Sequence, residues 1–186
     1  MQSSTGSLSR NAPEKHIEFN TKEPGGGSFS LSQSHSCSTF RAFQAWLDPA
    51  VAGRWLFATA TRPMTCVTID PRPGGRFEFA DDSGRTREHG RYLDIQPSRH
   101  LAFSLARPGS RRGSRVVVEF RRRGSGCLVG LTHTGLPADQ AAHMEARWEG
   151  MLYGLGLLLN SDTGWIATDN KSPRATSSRR PPLTRG

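Results

Sequence analysis

Six segments rich in β-formers follow one another between residues 65 and 135: TCVTID (65–70), GRFEFAD (75–81), HGRYLDIQ (89–96), HLAFSLA (100–106), SRVVVEFRRR (114–123) and CLVGLTHTG (127–135). Only turn sequences separate them, among them Pro71-Arg72-Pro73-Gly74-Gly75, Asp82-Ser83-Gly84, Gln96-Pro97-Ser98, Pro108-Gly109-Ser110 and Gly124-Ser125-Gly126. A parallel neighbour needs a crossover of about a dozen residues, so connections this short impose antiparallel pairing on successive strands. A weaker alternation in SFSLSQSHS (28–36) adds a seventh strand, suited to a sheet edge.

Alternation also sorts the side chains by face. Phe77 and Phe79 oppose Arg76 and Glu78; Leu101, Phe103 and Leu105 oppose His100 and Ser104; Val116, Val118 and Phe120 oppose Arg115, Glu119 and Arg121; Val129, Leu131 and His133 form the last set. One face is dry and the other wet. A seven-stranded antiparallel sheet twists and curls, which makes the dry face concave and in need of a cover.

Two further stretches supply it. In STFRAFQAWLDPAVAGRWLF, Phe40, Phe43, Trp46 and Leu47 recur at helical spacing, and Asp48-Pro49 starts a second short turn through Val51, Trp55 and Leu56. A Ser38 or Thr39 N-cap and a proline at the first position of the second piece fit two short helices meeting at a corner. Residues 138–160 carry the one long helical pattern, with Trp148, Leu152, Leu155 and Leu159 at i, i+4, i+7 and i+11. Met151, Tyr153, Leu157 and Leu158 flank that stripe, which predicts burial over more than half the circumference. Gly150, Gly154 and Gly156 interrupt it, each at a cost of about 1 kcal/mol relative to alanine. Either a neighbour approaches the helix closely at these positions, or space is left there for a ligand.

Composition bounds the domain. At 186 residues the chain suits one core rather than two. Residues 1–27 lack periodicity and stop at Pro-Gly-Gly-Gly, which reads as a loose arm; residues 161–186 end in SSRRPPLTRG and read as a disordered basic tail. The domain is therefore expected at 28–160. The net charge of +9 is carried by arginine, 22 against 3 lysines. The runs Arg111-Arg112 and Arg121-Arg122-Arg123 have no interleaved aromatics, which argues against a nucleic-acid surface, and the run at 121–123, ending a strand beside a turn, reads as a solvated hairpin tip. Three widely spaced cysteines, Cys37, Cys66 and Cys127, include no CxxC pair, and this favours neither a disulfide framework nor a zinc site. No signal-like N-terminus and no apolar run of about 20 residues are present, so no membrane insertion is expected and a cytoplasmic protein is the default reading.

The order strand, two short helices, six strands, long helix resembles the helix-grip fold of the SRPBCC superfamily, which also contains birch-pollen-allergen-like and START proteins. Within it the chain is similar to the family named after the activator of the heat-shock protein 90 ATPase, the AHSA type. AFQAWLDPAVAGRWL, IDPRPGGRFEF, GRYLDIQPSRHLAFS, SRVVVEF, LVGLTHTGLP and HMEARWEGMLYGLGLLL carry the likeness over about residues 28–160. Relatives often carry an aromatic pair after the position of Arg54, where this chain has Trp55-Leu56. The fold class implied is α+β, with a seven-stranded curved antiparallel sheet wrapped around a long C-terminal helix.

The resemblance implies a cavity between helix and sheet for a hydrophobic or amphipathic small molecule. Its walls would be Trp55, Phe77, Phe79, Tyr92, Phe103, Val118, Leu131, His133, Trp148 and Leu152. No cofactor is implied, and no histidine pair has metal-ligand spacing. Two alternatives stand beside binding. Polyketide cyclases of the superfamily suggest acid-base work by His133, assisted by His89, Arg91, Asp94 or Cys66. The family name suggests a regulator of the chaperone ATPase. A homodimer through the edge strand at 28–36 is the other partner expectation.

Overall fold

The structure, a computed structural model, describes residues 26–59, 61–84, 87–107 and 110–161. The expected arm, apart from its last two residues, and the tail beyond Ser161 lie outside the described residues. The elements run β1 (Gly27–His35), α1 (Thr39–Leu47), α2 (Pro49–Ala52), β2 (Cys66–Ile69), β3 (Arg76–Ala80), β4 (Arg87–Gln96), β5 (His100–Arg107), β6 (Ser110–Arg123), β7 (Gly126–Leu136) and α3 (Ala138–Asn160). All seven strands form one antiparallel sheet in the order β1-β7-β6-β5-β4-β3-β2. Strands β2 to β7 are a meander, as the short connections require. The chain's first strand closes beside its last, leaving β1 and β2 as the two edges.

Local chemistry explains the corners. Ser38 Oγ accepts from the backbone N–H of Arg41 at 3.2 Å and so caps α1, and Asp48 Oδ1 accepts from that of Ala50 at 2.9 Å to cap α2, with Pro49 at its first position. In the β2–β3 turn, Gly74 has φ +81°, and a Cβ at Gly75 would fall on the Asp70 carbonyl oxygen. Both glycines are required, one for its dihedral and one for its neighbour.

The dry face read from alternation is the buried one: Phe77, Phe79, Leu101, Phe103, Leu105, Val116, Val118, Phe120, Val129, Leu131 and His133 are all buried. Helix α3 packs on β1, and α1 packs on β6 and β7. Trp46 of α1 sits at the centre, with Trp55 edge-on at 4.7 Å between ring centroids, Trp148 stacked at 6.1 Å, and Phe103 and Phe120 each at 6.3 Å. Burying such a ring contributes about 1.5–3 kcal/mol, with further gain from edge-to-face geometry. This aromatic knot binds the short helices, the sheet and α3 into one core.

Helix α3 corrects one expectation. Met151 is buried and Leu158 half-buried, but Tyr153 is 65% and Leu157 59% exposed. The buried side of α3 carries Trp148, Met151, Leu152, Leu155, Gly156 and Leu159, and no described element covers the flank of Tyr153 and Leu157 beside it.

Candidate functional site

That open flank forms one wall of a groove of about 750 Å³. The opposite wall is the segment after α2, contributing Arg54, Trp55, Ala58 and Thr59, while α3 contributes Gly150, Met151, Tyr153, Gly154, Leu157 and Leu158. The glycines of α3 divide between the two explanations that the sequence offers. A Cβ at Gly150 would meet nothing within 4 Å, and one at Gly154 would only touch Trp55 Cβ at 3.7 Å, whereas one at Gly156 would lie 2.9 Å from Gln33 Nε2. Gly156 serves close approach to β1; Gly150 and Gly154 leave room in the groove.

The segment facing α3 is held rigidly. Trp55 Nε1 donates to the Ala45 carbonyl at 2.9 Å, and the backbone N–H of Phe57 donates to Met151 Sδ at 3.0 Å. Phe57 adopts φ +60°, a left-handed conformation that costs an aromatic residue about 1–2 kcal/mol. Its ring is fixed against Phe79 and Trp148, with the Arg147 guanidinium 5.9 Å from its centroid. Arg147 in turn donates to Glu88 Oε1 at 2.7 Å. Arg54, exposed at the rim, has no ion pair among the described residues.

All ten residues expected to line a cavity are buried. Trp55 is the one among them that also borders the groove. Phe77, Phe79, Tyr92 and Phe103, with Trp46, Leu56 and Leu101, surround an interior space of about 10 Å³, room for about one water molecule. Burial pushes the Tyr92 phenol well above its ordinary range. The Trp46 indole N–H is buried with no hydrogen-bond partner among the described residues.

His133 is enclosed deeper, fully buried between β6 and α3. Trp148 Nε1 donates to its Nδ1 at 3.0 Å, and its Nε2 lies 2.8 Å from Ser114 Oγ. An indole nitrogen only donates, so Nδ1 accepts, the ring is the neutral Nε2–H tautomer, and Nε2 donates to Ser114. Phe29 packs edge-on against the ring at 5.5 Å. The helpers suggested for acid-base work are not brought to it. Cys66, His89 and Arg91 are exposed, and Asp94 accepts from Gln96 Nε2 at 2.9 Å with His100 Nε2 at 3.5 Å. Strand alternation places His89 and Arg91 on the opposite face from Tyr92, which is why the group separates.

The sequence pointed to Gly150 and Gly154 as possible space for a ligand, but it did not single out Trp46 as the plug of the interior, nor Arg54, Tyr153 and Leu157 as the groove around those glycines. The available signal was the spacing of Tyr153 and Leu157, i and i+4 on a line displaced from the buried stripe. No group of three or more metal-ligating side chains occurs among the described residues, and no described helix is long and apolar enough to cross a membrane.

The fold recurs in solved structures. Protein CV1439 from Chromobacterium violaceum superposes with a TM-score of 0.62 at 20% identity over 73% of this chain and 99% of its own. The AHSA1-like protein from Aeromonas hydrophila gives 0.61 at 23% identity over 70% and 90%. The Aha1 dimer from Colwellia psychrerythraea gives 0.62 at 14% identity over 74% and 98%. No curated protein matches the chain in sequence. Residues 36–160, from the end of β1 through α3, match the family of Activator of Hsp90 ATPase homolog 1-like proteins, and the chain belongs to that family.

Proposed function

We propose that this chain binds a hydrophobic or amphipathic small molecule, held in the groove between α3 and the Arg54–Thr59 segment. The observation that carries the reading is the juxtaposition of exposed Tyr153 and Leu157 with the bare surface at Gly150 and Gly154, all bordering one space of about 750 Å³. Ligand pockets have this size, mostly apolar walls and few polar groups. Trp55 and Met151 form the floor in this reading. Phe77, Phe79, Tyr92, Phe103, Val118, Leu131, His133, Trp148 and Leu152 form the packed wall behind them. Arg54 offers a cation to an acidic head group at the rim, so an alkyl or aromatic carboxylate is the favoured class.

The test is thermal shift and titration calorimetry with dodecanoate, using dodecanol and dodecylamine as comparisons, on the native chain and on Leu157→Glu. Mass action requires a Tm rise with ligand concentration. Dodecanoate is expected to raise Tm more than the amine does, with the response lost in Leu157→Glu. No rise with any of the three, or a rise unaltered by Leu157→Glu, overturns the groove as the site.

A further inference from the structure

Cys37 lies just ahead of α1 and Cys127 lies on β7, 90 positions apart in sequence, yet their sulfurs are 3.9 Å apart in the core. The β1–β7 register produces the meeting: His35 pairs with Cys127, and Cys37 follows two residues later as the chain leaves the strand. A disulfide has an S–S distance of about 2.05 Å, so bond formation requires the sulfurs to close by roughly 2 Å. Cys66, the third cysteine, is exposed on edge strand β2.

We propose that Cys37 and Cys127 are an oxidative modification site, converted by a peroxide into an internal disulfide that staples the start of α1 to β7. The two sulfurs have unequal roles. The hydrogen bond from the Cys127 thiol favours the Cys37 thiolate; burial opposes it, while the Arg41 charge and the first turn of α1 add to it. The same pairing, with burial, raises Cys127. Cys37 is also the more accessible, at 7% exposure against 1%. The Cys37 thiolate attacks one peroxide oxygen, the O–O bond breaks, and Cys37 becomes a sulfenic acid as the other oxygen leaves as hydroxide, which takes up the proton the Cys37 thiol gave up and becomes water. The Cys127 sulfur then attacks the Cys37 sulfur, the S–O bond breaks, and the hydroxyl leaves with the thiol proton as a second water. Two thiols are oxidised and one hydrogen peroxide is reduced. The link encloses a long loop and constrains the unfolded chain, so it stabilises the fold. It also fixes α1, which carries Phe43 and Trp46 into the aromatic core.

The experiment uses the full chain with Cys66→Ser, reduced and then exposed to hydrogen peroxide. Intact mass should fall by two hydrogens, a non-reducing digest should yield a peptide joining Cys37 to Cys127, and Tm should rise by about 5 °C or more, reversibly with dithiothreitol. A Cys127→Ala, Cys66→Ser chain should show neither the link nor the Tm rise. Cysteines that remain alkylatable after unfolding, or Cys37 halted at a sulfenic or sulfinic acid without a link, overturn the proposal. So does a Tm rise that persists in the Cys127→Ala chain.

Discussion

The indole N–H of Trp148 on α3 donates to Nδ1 of His133 on β7 across 3.0 Å, inside a core where both residues are fully buried. This bond fixes the histidine tautomer, aims its Nε2 at Ser114 on β6, and ties the helix to two neighbouring strands through polar atoms.

Trp148→Phe takes the indole donor away from the buried His133 Nδ1, whereas Trp46→Phe removes an indole N–H that has no partner among the described residues. Both changes shrink a buried ring, so the difference between them isolates the hydrogen bond. Trp148→Phe should cost about 1–3 kcal/mol more than Trp46→Phe in urea denaturation. Equal losses would mean that the His133 bond contributes nothing beyond packing.

The glycines of α3 should respond in a fixed order. Gly150→Ala meets open space and should raise stability by about 0.5–1 kcal/mol through helix propensity. Gly156→Ala meets Gln33 Nε2 at 2.9 Å and must displace it, so its gain should be smaller or reversed. Thermal denaturation of the two variants side by side checks the order.

At Gly90 on β4, an added Cβ would collide with the Ser104 carbonyl oxygen and press on the Phe77 ring. Backbone cannot yield there without disturbing the β4–β5 ladder, so Gly90→Ala should destabilise by about 3 kcal/mol. A loss below about 1 kcal/mol would show that the sheet bends easily at this point.

His35 sits at the end of β1 beside Gly156 with both ring nitrogens buried and without a hydrogen-bond partner among the described residues, and burial holds its pKa below the ordinary 6.5. The native ring therefore stays neutral at a pH where the unfolded chain takes a proton. Below about pH 6.5 the unfolded state binds more protons, and stability falls as pH drops until the native ring itself protonates. His35→Gln should flatten the loss of denaturation free energy between pH 7 and pH 5. An unchanged slope would assign that loss to other groups.

Much of this architecture was legible in the chain itself. Short turns between β-rich segments dictated an antiparallel meander, period-two alternation named the dry face residue by residue, and the Ser38 and Asp48-Pro49 signals located both short helices. These features rest on local geometry, which depends on residues only a few positions apart. The residues expected as cavity walls were legible as buried positions, but how much space lies among them was not. Whether Phe77, Phe79, Tyr92 and Phe103 enclose a chamber or a gap of about 10 Å³ depends on Trp46, which arrives from a helix some 30 to 60 residues earlier. The groove is likewise a property of how far α3 stands from the Arg54–Thr59 segment, and Tyr153 and Leu157 have the same hydrophobicity in sequence whether covered or bare. The meeting of Cys37 with Cys127 required the register of first strand on last, a non-local pairing that no spacing rule encodes. Periodicity determines which side of an element turns inward; only the packed fold decides what meets it there and what volume remains.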